Sequence, residues 1–155
     1  MALCCQVIAE RKEHPTDVFI TSLVELSELT CRVNDYFSYD DIDNAEVNGD
    51  MMLSFTTVNF KSDLDRIRNS IHPDAQGNSR STQGHGSTIA DAEFVENLYL
   101  ATCLVEVWIY ECALHGTFWS SSVPTENNVI SVTRTVALYN CLNAMNTYLN
   151  TLLGQ

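Results

Sequence analysis

Six cysteines, four histidines and two glutamates set in an apolar run are the residues of this 155-residue chain with the chemistry to build a site. Cys4, Cys5, Cys31, Cys103, Cys112 and Cys141 are numerous enough for a disulfide framework or a zinc cluster. Zinc ligands come as close pairs such as C-x2-C, whereas these cysteines are either adjacent or scattered, with Cys103 and Cys112 inside an apolar helical pattern. The opening residues, Met1 to Ile8, are too short and uncharged for a secretory signal, and no Asn-x-Ser/Thr sequon occurs. Reduced, buried thiols in the cytosol or nucleus are therefore expected. His14, His72, His85 and His115 sit in or beside loops, and none belongs to an H-E-x-x-H pair on one helical face. Gly84-His85-Gly86-Ser87 lacks the Gly-x-Ser-x-Gly of a nucleophile elbow and the strand that must precede it. Neither phosphate-binding glycine motif is present. Glu106 and Glu111 have the composition of a general-acid pair, but five residues at about 100° each place them roughly 140° apart on a helix. One at a helix edge and one satisfied by a neighbour is the expected arrangement, so no catalysis is expected.

Composition narrows the partners. Twenty acidic residues against eight basic ones give a formal charge of −12, and only Arg134 follows Arg80 among the bases. Phosphate neutralisation needs clustered Lys and Arg, so direct nucleic-acid contact is not expected. A hydrophobic content of 45% is too high for a disordered acidic chain. The richest apolar run, Leu98 to Leu114, is interrupted by Glu106 and Glu111, so no membrane span is expected.

Four segments must carry whatever these residues do. Pro15-Thr16-Asp17 reads as a helix start, and Val18, Phe19, Leu23, Leu26, Val33 and Phe37 recur at helical spacing, predicting a helix over 17–39. Glu28 and Arg32 on its outer face form a favourable i,i+4 pair. Asp40, Asp41, Asp43, Glu46 and Asp50 then read as an acidic, solvated loop. A second helix is predicted over 57–70, with Phe60, Leu64, Ile67 and Ile71 on one face, Arg66 and Arg68 pointing elsewhere, and Pro73 as its stop. Residues 72–87 read as a long flexible loop. The third helix, 88–114, is apolar almost all round, which predicts a central, buried helix with Phe94, Leu98, Val105, Trp108 and Cys112 inward. In that core role Trp108→Ala predicts a loss of roughly 3–5 kcal/mol. The last helix, 129–153, is expected to turn Val132, Val136, Tyr139, Leu142, Met145, Leu149 and Leu152 inward and to end at Gly154. No strand alternation is present, so the fold class is all-α, with four principal helices and a long flexible loop.

The order of these segments resembles the regulatory domain, or middle homology region, of fungal zinc-cluster transcription factors. FITSLVELSELTCRVNDYFSYDD, from Phe19 to Asp41, is similar to that family's apolar helix with Leu-x-x-Leu and a Tyr-Phe-Ser ending. NFKSDLDRIRNSIHP, from Asn59 to Pro73, resembles its L-x-x-W-R-x-x-L-P helix, with Ile67-Arg68 where Trp-Arg is usual. LYLATCLVEVWIYECALHGTFWSS, from Leu98, resembles a long helix ending in His-Arg-Pro-Phe-Leu: Leu114-His115 and Phe118 fit, whereas Gly116-Thr117 and Trp119 depart. SVTRTVALYNCLNAMNTYLNTLL, from Ser131 to Leu153, carries the Cys-Leu-x-Ala of the next helix at Cys141, Leu142 and Ala144.

The resemblance spans residues 16–153 and implies a partial, non-catalytic regulatory domain acting in the nucleus on RNA polymerase II transcription. It implies DNA binding and zinc only through an N-terminal zinc cluster in a longer parent, and no cofactor in this chain. Its implied partners are other regions of the parent factor, co-regulator proteins and a small-molecule inducer. It also implies an effector pocket or core around Trp108, Leu104, Tyr110, His115 and Phe118. Two other readings fit the residues: an unrelated all-α protein-interaction module, and a small helical enzyme or ligand carrier.

Overall fold

Leu53, Thr57, Phe60, Leu64, Ile67 and Ile71 recur every three or four residues, and this stripe is the wall against which the other helices pack. A computed structural model of the chain describes residues 7, 17–41, 50–71, 89–115, 118 and 132–154. It contains four long helices, α1 (Asp17–Phe37), α2 (Asp50–Ile71), α3 (Ile89–Glu111) and α4 (Val132–Leu152), and no strand among the described residues. The fold is all-α.

Side-chain pairs fix the helix directions. Arg32 and Tyr36 of α1 meet Asp63 and Phe60 of α2, so rising numbers on one helix face falling numbers on the other. Lys61 and Arg68 of α2 likewise meet Glu106 and Thr102 of α3, and Arg134 at the start of α4 reaches Ala113 just beyond the end of α3. Consecutive helices therefore run antiparallel, and α3 touches the other three. The core lies where α1, α2 and α3 converge, around Leu29, Val33, Phe37, Leu53, Leu64, Ile67 and Ile109.

Several expected details change. α1 ends at Phe37, two residues early, because Ser38 takes a left-handed φ of 49° while its N–H still bonds to the Asn34 carbonyl at 2.7 Å. The turn brings Tyr39 back over the end of α3. Along α1, Leu29 joins the core, whereas Leu23 is exposed. Arg32 does not serve the expected Glu28 pairing; it crosses to Asp63 at 2.6 Å and lies over the Phe60 ring. α2 starts at Asp50, seven residues before the expected Thr57, so the last acid of the run occupies the helix's first turn, where the dipole favours it. Its end at Ile71 agrees with a stop at Pro73. The loop expected over 72–87 lies outside the described residues, as do Asp43, Glu46 and the cap at Thr16.

The largest correction is on α4. Of the residues expected inward, Val132, Val136, Tyr139, Leu142, Leu149 and Leu152 are exposed, and only Met145 packs against the core. The buried face carries Ala137, Cys141 and Ala144 instead. Small side chains let α4 lie close on α3, whose facing end is itself small at Cys112 and Ala113. Helix α4 ends as expected, with Gly154 at φ 67° and the Leu153 N–H bonded to the Leu149 carbonyl at 2.9 Å.

Candidate functional site

Helix α3 sorts the five residues implicated by resemblance into three environments. Trp108 and Tyr110, two residues apart, point about 200° apart on a helix. Leu104 and Trp108 face α1, Tyr110 faces α2 and α4, and His115 and Phe118 lie beyond the helix end. Tyr110 and Phe118 are buried. Trp108 is 36% exposed and Leu104 47%, so the expected core tryptophan is a groove wall instead.

That groove, about 380 Å³, runs between α1 and α3. Leu23, Leu26, Thr30 and Cys31 form one wall; Ala101, Leu104, Val105 and Trp108 form the other. Ala101 is the smallest side chain of the lining, and Trp108 is its last residue along α3. Trp108 is held by the turn after α1: the Tyr39 hydroxyl donates to the Trp108 backbone carbonyl at 2.9 Å, and the two rings lie 6.4 Å apart. Burial pushes the Tyr39 phenol well above its usual pKa, and the neighbouring Cys112 and Glu111 add to the effect. It therefore remains a donor at any physiological pH. Tyr39 also stacks on Phe37 at 5.3 Å and meets His115 and Phe118 at 6.0 and 6.4 Å. This aromatic cluster ties the end of α1 to the end of α3, with Phe37 buried at its centre.

The polar chemistry is turned inward. Glu106, whose side chain is only 16% exposed, accepts from Arg68 at 2.9 Å and lies 3.5 Å from Lys61. Arg68 Nε donates to Thr102 Oγ1 at 3.1 Å, Thr102 donates to the Tyr99 carbonyl, and the guanidinium lies over the Tyr99 ring. Burial alone would lower the Arg68 pKa, but the hydrogen bond and charge of Glu106 reverse that and raise it. Asp65 joins the network by pairing with Lys61. Glu111 sits 3.6 Å from His115 Nε2. The two glutamates thus serve separate partners, as their angular separation requires. The sequence reading missed Arg68, expected to point away; the available signal was a carboxylate in an apolar helix of a chain with few cations.

Cys103, Cys112 and Cys141 are buried free thiols, and Cys31 is exposed on the groove wall. Burial, with Cys141 nearby, pushes the Cys112 thiol up to about 12, and burial with Glu111 raises Cys141. Both are neutral at pH 7 and poor nucleophiles or metal ligands. Among the described residues, no three His, Cys, Asp or Glu side chains converge as a metal-binding set, and no helix is long and apolar enough to cross a membrane. Comparison with known protein families, with curated proteins and with solved structures finds no match for this chain.

Proposed function

We propose that this chain is a regulatory segment of a fungal zinc-cluster transcription factor. In this reading it is non-catalytic, acts in the nucleus on RNA polymerase II transcription, and depends on a parent protein's zinc cluster for DNA contact. The observation that carries the reading is the α1–α3 groove, in which Leu104 and Trp108 stand exposed over an apolar floor. An almost wholly apolar groove suits an apolar inducer or the apolar face of a partner helix, from a co-regulator or another region of the parent. Occupancy would be read out through Trp108, whose backbone is tied to Tyr39 and so to the aromatic cluster joining α1 and α3. The ordered segments that resemble the family's helices support the same assignment.

The test is to fuse the chain to a heterologous DNA-binding domain and measure a reporter gene in fungal cells. The fusion should change reporter output, and Leu104→Asp, placed on an exposed groove position, should shift that output by about fivefold or more, the lower end of ordinary allosteric coupling. A fusion whose output equals that of the DNA-binding domain alone, with or without Leu104→Asp, would remove the proposal.

A further inference from the structure

The outer face of α4 carries a second, independent pattern. Val132, Thr135, Tyr139, Leu142, Asn146, Leu149 and Leu153 follow one another at alternating spacings of three and four residues. All seven are exposed. An alternating three-and-four repeat held over three heptads is the seam of a coiled coil, with two polar positions, Thr135 and Asn146, the asparagine of the kind that fixes register. Among the described residues, α4 lies on α3 through its opposite face, Ala137, Cys141 and Ala144, and the large side chains of the seam, Val132, Tyr139, Leu142, Leu149 and Leu153, stay exposed.

We propose that this face is a self-association surface whose occupant is α4 of a second copy of the chain. Charge selects that occupant. The chain carries −12, so two copies repel unless they meet where acids are distant. Among the four described helices α4 alone carries no Asp or Glu, and its single charge, Arg134, is turned to the Ala113 carbonyl. The positions flanking the seam, including Val136 and Leu152, are uncharged as well, so nothing in the pairing sets like charge against like charge. Area agrees. At 50–81% exposure, the apolar seam residues with Val136 and Leu152 present on the order of 700 Å², above the largest patch of most monomers and close to the ~800 Å² per partner of a standard interface. Past Val132 the apolar surface passes onto α2 at Met51, Phe55 and Val58, where Asp50 also lines it, so the acid-free stretch is α4 itself.

This inference does not rest on the transcriptional reading, and its experiment is separate. The full chain at roughly 50 µM, within the affinity range of interfaces of this size, should sediment at twice 17.4 kDa. Leu142→Asp at the centre of the seam should weaken association by more than about tenfold while leaving helicity unchanged. Should that variant lose helicity, Tyr139→Glu, also on the seam and also exposed, gives the same readout. A wild-type chain that runs at 17.4 kDa means that another partner covers the face and overturns the proposal. A dimer that persists in a folded seam variant overturns it too, by placing the contact elsewhere.

Discussion

Trp108 and Phe37 invert the ranking that composition suggests. Trp108 is the larger side chain, yet it stands half out of a groove, whereas Phe37 is buried among Tyr36, Tyr39, Phe60 and Phe118. Truncation cost follows burial and the ability of the site to collapse. Phe37→Ala should cost about 3–5 kcal/mol, and Trp108→Ala roughly half of that, below the 3–5 kcal/mol of a core tryptophan. Urea unfolding of both variants decides this; equal losses would return Trp108 to the core. A similar contrast governs the Arg68–Glu106 pair. Removing only the cation in Arg68→Met leaves Glu106 largely desolvated, with Lys61 3.5 Å away as its remaining cation, and should cost about 2–3 kcal/mol. Removing both charges in Arg68→Met with Glu106→Leu should recover most of that loss. A double variant no more stable than the single one would show that the network stabilises the fold through more than mutual neutralisation.

Helix α4 shows what an element needs from its neighbours. Read alone, its large apolar residues define an inward stripe; in the bundle, its small ones do. The closest approach between two helices is set by the side chains between them, and Ala137, Cys141 and Ala144 allow α4 to settle on α3. Cys141 is fully buried, so Cys141→Leu should force the helices apart and cost about 1–3 kcal/mol, measured by thermal unfolding. If it is tolerated without loss, α4 is not packed through its small face. The end of α1 gives the opposite sign. Ser38 holds a left-handed conformation that disfavours any side chain, so Ser38→Gly should stabilise the fold by about 0.5–1 kcal/mol despite the greater freedom of glycine in the unfolded chain. A lower melting temperature for Ser38→Gly would mean that the serine side chain contributes more than its backbone strain costs.

For the whole molecule, buried neutral groups set the alkaline limit. The Cys112 thiol and the Tyr110 phenol are both pushed up to about 12, chiefly by burial, with Cys141 acting on the first and Glu106 on the second. Because their folded pKa values exceed the unfolded ones of about 8.5–9 and 10, the neutral forms are preferred in the fold. The stability they contribute is intact below pH 8.5–9 and is lost as pH climbs toward 12, where the unfolded chain ionises first. Stability followed by circular dichroism should be level from pH 7 to about 8.5 and fall beyond 9. Cys112→Ala should flatten the first part of that fall, and an unchanged profile would clear Cys112 as a cause.

The four helices, their order and the absence of strands among the described residues were legible in the amino-acid sequence, because apolar periodicity is a local property. Gly154 follows the last helix with the positive φ that the pattern called for. The burial of Cys103 and Cys112 was legible for the same reason, since both lie within an apolar helical pattern, whereas Cys31, also expected to be buried, is exposed, and Cys4 and Cys5 lie outside the described residues. Tertiary structure decided which face of each helix turns inward. On α3 and α4 apolar residues occupy nearly the whole circumference, so periodicity could not rank Trp108 against Ile109, or Leu142 against Cys141. That choice depends on shape between helices far apart in sequence: a small-residue seam admits a close neighbour, and the large residues are left to form a groove beside Trp108 and an open seam along α4. Likewise Arg68 could meet Glu106 only once α2 and α3 ran antiparallel, since pairing across 38 residues is written in the packing and in no local pattern.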